Sequence, residues 1–197
     1  NLTAWTGVDA LVHAIESYTI NSLYSVADGV AIEALTLIGR YLKKAVNSPN
    51  DLEARGGMLV GSCLAGISFK KGLGLVHAIS HMVGAIYDSQ HGLTNAILLP
   101  AVLRFNKESI KQKSKMMNFV TFSETSGYKS FYANICNLLD ELEINKGLDS
   151  LGVTSDKVTL KDFAILDAKG DALKVIGSNG INMINLRTEW TGGPKST

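Results

Sequence analysis

Several things are scarce in this sequence, and each scarcity closes a door. It has two cysteines among 197 residues, too few for a disulfide framework. Cys63 lies among small apolar residues and Cys136 in an amphipathic stretch, so both are expected to be reduced core thiols. Neither sign of charge is in excess: 19% of residues are charged and the formal net charge is +1, which gives no field to attract nucleic acid or an anionic membrane. No apolar run approaches the roughly 20 residues a spanning helix needs, and the N-terminus lacks the basic-then-apolar pattern of a secretory signal. A cytoplasmic protein with no nucleic-acid or membrane partner is expected. An initiator methionine is also missing at Asn1, and we expect the chain to be a piece of a longer polypeptide.

What is present is apolar content, at 46%, enough for one domain with a substantial core over 1–197. Its periodicity is helical. Val26, Val30, Ile32, Leu35, Ile38 and Leu42 recur mostly at three- and four-residue steps, forming one apolar stripe that ends at the breakers Asn47-Ser48-Pro49-Asn50. A second helix is predicted from Asp51 to Phe69, whose Gly, Ala, Ser and Cys content suits close approach of a neighbour. Leu75 to Tyr87 reads as another, Asp88-Ser89-Gln90 as a turn, and a further helix opens near His91, with a kink expected at Pro100. The basic run Lys107 to Lys115 reads as a solvated helix face. Ser126 to Leu142 is helical in pattern, Leu160 to Val175 more weakly so, and 177–197 forms a tail without clear period. No convincing alternating strand is found. The expected fold is all-α, a packed helical bundle.

Three of the four histidines, His77, His81 and His91, fall in one predicted helix-turn-helix stretch. Asp9 and His13 stand four residues apart, one turn along a helix and on one face, as do His77 and His81. His91 follows the turn and can swing back toward the same point. A mixed carboxylate and imidazole set suits Zn or Fe(II). Histidine pairs at this spacing also occur as ordinary surface or core residues, and spacing alone does not bring Asp9 and His13 to the ion of the other histidines.

The segments Thr6 to Tyr18 (TGVDALVHAIESY) and Gly72 to His81 (GLGLVHAISH), continued by His91 to Pro100 (HGLTNAILLP), resemble the signature regions of the iron-containing alcohol dehydrogenases. The likeness runs from about residue 4 to residue 106. It implies the helical domain of a dehydroquinate synthase-like fold, with the N-terminal α/β nucleotide-binding domain outside this chain. It further implies that Asp9, His13, His77 and His91 hold the metal, Fe(II) first and Zn second, and that His81 is a catalytic residue beside substrate and nicotinamide. The implied reaction interconverts a small primary alcohol or diol and its aldehyde with NAD or NADP, in a homo-oligomer. Glycerol dehydrogenase or dehydroquinate synthase-like activity, a helical metal-dependent hydrolase and a non-catalytic assembly domain stay open as alternatives.

Some features of the sequence carry no functional role. Gly72-Leu73-Gly74 lacks the third glycine of a dinucleotide loop and reads as an inter-helix turn. Trp5 and Tyr18 read as packing residues. Glu16, three residues past His13, could orient a ligand or pair outward, and is left unassigned.

Overall fold

A computed structural model describes residues 1–22, 24–144 and 147–153, together with the backbone of four short strands farther on. The chain forms two compact units, Asn1–Leu148 and Asp149–Thr197.

The first unit is all-α. Its helices are α1 (Leu2–Thr19), α2 (Ser25–Asn47), α3 (Leu52–Ser68), α4 (Leu75–Tyr87), α5 (His91–Phe105), α6 (Lys107–Phe122) and α7 (Tyr128–Glu141), with a 3-10 turn at Phe69–Lys71. α1 is the hub. It is apolar on nearly every side, as a helix buried within a bundle must be, and Val8, Leu11, Val12, Ala14 and Ile15 are shut off from solvent. It packs against α2, α3, α5 and α6. The apolar stripe read from Val26 to Leu42 falls on α2 and lies inward in part: Leu35, Ile38 and Leu42 are buried, whereas Val26 is exposed. Asp51 caps α3 by accepting from the amide of Ala54 at 3.0 Å. Asp28 of α2 pairs with Lys71, tying the 3-10 turn to the start of α2.

α4 and α5 are joined by three residues. Asp88 ends α4 in the left-handed region (φ 48°), and the Gln90 side chain caps α5 by accepting from the amide of Leu93 at 2.6 Å. That turn sends α5 back along α4, with Pro100 inside it. In the basic run, Lys107, Lys111 and Lys115 are solvated, but Lys113 is half-buried and donates to the carbonyl of Tyr18 at 2.6 Å.

Two expectations need correcting. Where the stretch expected to be helical from Leu160 to Val175 is described, it is strand: Val158–Lys161 (β1) and Ala164–Leu166 (β2) pair in parallel with Ile181–Ile184 (β3) and Arg187–Glu189 (β4), respectively, and the rest of that stretch lies outside the described residues. These are runs of three and four residues, below the length at which alternation becomes legible, and parallel partners lie a crossover away in sequence. Cys63 is exposed, not in the core, and both cysteines are free. α3 has small and apolar residues on all sides, so composition alone did not say which side faces inward. Among the described residues no single helix is long and apolar enough to cross a membrane.

Candidate metal centre

The site residues come together because α4 and α5 both open against α1, α5 beside Trp5 and Asp9 and α4 at Glu16. Gly92 makes the approach of α5 possible. A Cβ there would lie 2.4 Å from the carbonyl oxygen of Trp5 and 3.3 Å from Cβ of Asp9, so any side chain would force α5 off α1 exactly where Asp9 sits.

Asp9, His13 and His77 offer ligand atoms that all lie within 4.8 Å of one another. His77 Nε2 is 3.4 Å from Asp9 Oδ1, and His91 Nε2 is 3.5 Å from the same oxygen. The rings of His13 and His77 stand 4.3 Å apart between centroids, those of His77 and His91 5.4 Å. His81 lies one turn beyond His77, exposed, its ring stacked on His91 at 5.2 Å and tilted by 24°. It borders the cluster and makes no contact with Asp9 as close as those of the other histidines.

The hydrogen bonds select tautomers. His13 Nδ1 donates to the backbone carbonyl of Asp9 at 2.8 Å, since a carbonyl can only accept. That leaves Nε2 of His13 with its lone pair free. His77 Nδ1 donates to Glu16 Oε2 at 2.7 Å, which turns Nε2 toward Asp9: Nε2 donates to that carboxylate while the ring is protonated and offers it a lone pair only when the ring is neutral. A carboxylate behind a ligating imidazole fixes the ring and raises its basicity.

Glu16 is the residue that sequence reasoning left unassigned. It is buried, and besides His77 its carboxylate accepts from the amides of Gly74 (3.0 Å) and Val76 (2.6 Å). These amides open α4, whose own N-cap is a glycine without a side chain. Glu16 of α1 therefore caps α4 across some sixty residues of sequence and holds His77 in the same act. Gly74 permits it: a Cβ there would come within 2.5 Å of Glu16 Oε1. A carboxylate placed inside a helix apolar on its other sides was the available signal.

Asn95, on α5 one turn after His91, also belongs to the cluster and was not anticipated. It is fully buried, with Nδ2 2.6 Å from Asp9 Oδ1 and 3.0 Å from both His77 Nε2 and His91 Nε2.

The electrostatics divide the histidines. For His77, burial works against the imidazolium, but the hydrogen bonds to Asp9 and Glu16 outweigh it and raise the pKa to about 9. Burial pushes His13 down despite Asp9 nearby. Burial also lowers His81 and His91; for His81 the neighbouring rings of His91 and His77 add to it. Asp9 is held below the usual carboxylate range: burial opposes ionisation, and the hydrogen bond with His77 and the charges of His13 and His91 overcome it.

Asp9, His13 and His77 are close enough together to serve one ion, and His91 approaches the same Asp9 oxygen without joining that group of three; a carboxylate with imidazoles is a donor set of borderline softness that would fit Fe(II) or Zn. Partial exposure of Asp9 (23%) and His91 (41%), against 1% for His77, leaves one side open to a small molecule. A cleft of about 700 Å³ between α2, α6 and α7 contains none of these residues.

Comparison with known proteins bears on the same segments. Residues 3–173 match the Fe-containing alcohol dehydrogenase family, C-terminal, well beyond residue 106 where the likeness by motif ends. The 1,3-propanediol dehydrogenase of Citrobacter freundii is 48% identical over 176 residues, covering 84% of this chain and 45% of that protein. Probable alcohol dehydrogenase EutG of Escherichia coli (strain K12) is 40% identical over 156 residues, covering 79% and 40%. The crystal structure of a 1,3-propanediol oxidoreductase superposes with a TM-score of 0.74 at 36% identity, covering 77% of this chain and 42% of that one. The chain thus spans less than half the length of these relatives. With a family match over most of its residues and a helical unit that superposes on a solved member, the chain belongs to the iron-containing alcohol dehydrogenase family, in its C-terminal, helical part.

Proposed function

We propose that the intact enzyme interconverts a small primary alcohol or diol and its aldehyde, with NAD or NADP accepting the hydride, at a divalent metal held by Asp9, His13, His77 and His91. The observation that carries this reading is the convergence of His77 Nε2 and His91 Nε2 on one oxygen of Asp9, at 3.4 and 3.5 Å. The names of relatives, 1,3-propanediol dehydrogenase among them, support a small diol or alcohol as substrate. Fe(II) is the first candidate ion from the family and Zn the second.

When bound, a divalent ion supplies Lewis acidity that lowers the pKa of a hydroxyl oxygen and favours loss of hydride from the adjacent carbon. This chain's residues do the rest. Asp9 offsets positive charge, and Glu16 keeps the His77 lone pair aimed inward. His81 is exposed at the rim, and its pKa is lowered by partial burial and by the neighbouring rings of His91 and His77, which favours the neutral ring that a proton acceptor requires. Oxidation of R–CH₂OH releases one hydride to the dinucleotide and one proton, and His81 passes that proton to solvent. The dinucleotide is held by an N-terminal α/β domain outside this chain, and the assembly is a cytoplasmic homo-oligomer.

The test is an assay of the intact enzyme with propanediol, butanol and similar alcohols, with NAD and NADP, after loading with Fe(II) or Zn. Metal-dependent reduction of the dinucleotide is expected. Turnover that persists after complete chelation would contradict the reading, and so would hydrolysis without any dinucleotide.

A further inference from the structure

The carboxamide of Asn95 sits among the groups assigned to the metal. Its nitrogen lies 2.6 Å from Asp9 Oδ1 and 3.0 Å from Nε2 of both His77 and His91. With His77 in the neutral form that a metal ligand must take, an NH₂ group has two hydrogens for these three acceptors. The short, charge-assisted contact to Asp9 takes one, and the two imidazoles share the other. The Asn95 oxygen, by contrast, is buried without any hydrogen-bond partner. A buried acceptor left unpaired is unfavourable, and such a group calls for an explanation.

A cation explains it. The lone pairs of Asp9 Oδ1, His77 Nε2 and His91 Nε2 cannot serve the NH₂ group and an ion together. The outer torsion of an asparagine is broad and nearly two-fold, so a half-turn exchanges nitrogen and oxygen at little strain. With oxygen inward the carboxamide faces the carboxylate of Asp9, which is repulsive unless positive charge lies between them. The preferred face of Asn95 is therefore tied to the cation.

Resting on the metal reading above, we infer that Asn95 is a positioning residue for the metal ligands. Its nitrogen gathers Asp9, His77 and His91 at one point, and its oxygen turns to that point when a cation takes them as ligands. Its place on α5, one turn after His91, makes α5 carry both a ligand and the group that aims the others.

The experiment uses the full chain, stripped by chelation, as wild type, Asn95→Ala and Asn95→Asp. Melting temperature is measured with and without Zn(II), and Zn(II) affinity by competition with a chelating dye. Asn95→Ala should bind Zn(II) about tenfold more weakly, in the range found when a group that orients ligands is removed. Asn95→Asp sets a second carboxylate against Asp9, so it should melt lower than wild type without metal and gain more from Zn(II) than wild type gains. That opposite sign is a response a purely packing role would not produce. In wild type, the side-chain amide protons of Asn95, assigned by their loss in Asn95→Ala, should shift on Zn(II) addition, a readout independent of variant stability. Equal Zn(II) affinities in all three proteins, or unmoved Asn95 amide signals in a wild type that does bind Zn(II), would overturn the inference and leave the metal reading standing. Failure of wild type to bind Zn(II) or Fe(II) would overturn both.

Discussion

His77 and His81 stand one turn apart on α4, yet they live in opposite surroundings. His77 is 1% exposed, between two carboxylates, with its pKa raised to about 9. His81 is solvent-exposed and its pKa is lowered. Sequence periodicity makes them equivalent, and what separates them is supplied entirely by α1: Asp9 on one side of His77 and Glu16 on the other. One helix turn thus divides an inner region built to hold a ring fixed from an outer region where a ring can exchange protons.

The sharpest way to break this comparison is at the inner ring. His77→Ala removes the ring that both carboxylates hold, and metal content of the intact enzyme should fall to near background, because one of four ligands is gone from the set. Elemental analysis of the purified variant checks this. Loss of activity should follow, whereas His81→Ala should retain the metal and lose turnover by about 10²–10⁴-fold, with an altered pH profile, as expected for removal of a proton carrier. Steady-state kinetics on metal-replete protein distinguishes the two.

Glu16→Gln is predicted to have a smaller effect. The single amide oxygen can still accept from one of the two opening amides of α4, so the fold should survive with a weaker cap, but the negative charge behind His77 is lost. Metal affinity should weaken by about 10–100-fold, measured by chelator competition. If affinity does not change, Glu16 is a cap and nothing more.

The smallest effect is on stability against pH, in protein stripped of metal. The folded pKa of His77, about 9, lies above its ordinary value of 6.5, so its contribution is complete below pH 6.5 and is lost as pH rises toward 9. Asp9 acts in the other direction: its lowered pKa contributes stability above its ordinary value of 3.8, lost as pH falls below it. Urea midpoints of wild type should therefore decline between pH 6.5 and 9, and those of His77→Gln should decline less. Parallel curves would mean that the carboxylates do not hold a charged ring in solution.

The same contrast explains what could be read from the sequence. The helices whose apolar residues follow a three- and four-residue step, such as Ser25–Asn47 and Tyr128–Glu141, were legible because the signal is local. The four family ligands were named through motif likeness, since no spacing rule joins Asp9 to His77 across the chain. Glu16 and Asn95 escaped because their partners lie 61 and 86 residues away, respectively, and neither residue type announces a role by itself. The short strands past residue 157 escaped for the opposite reason, as elements too brief to establish a period.

The most direct test is the metal content of the intact enzyme and three variants, prepared and analysed side by side. The account predicts about one divalent ion per chain in wild type and in His81→Ala, with strong loss in His77→Ala and His91→Ala. Unchanged content in the latter two, or loss of the ion from His81→Ala, would contradict it.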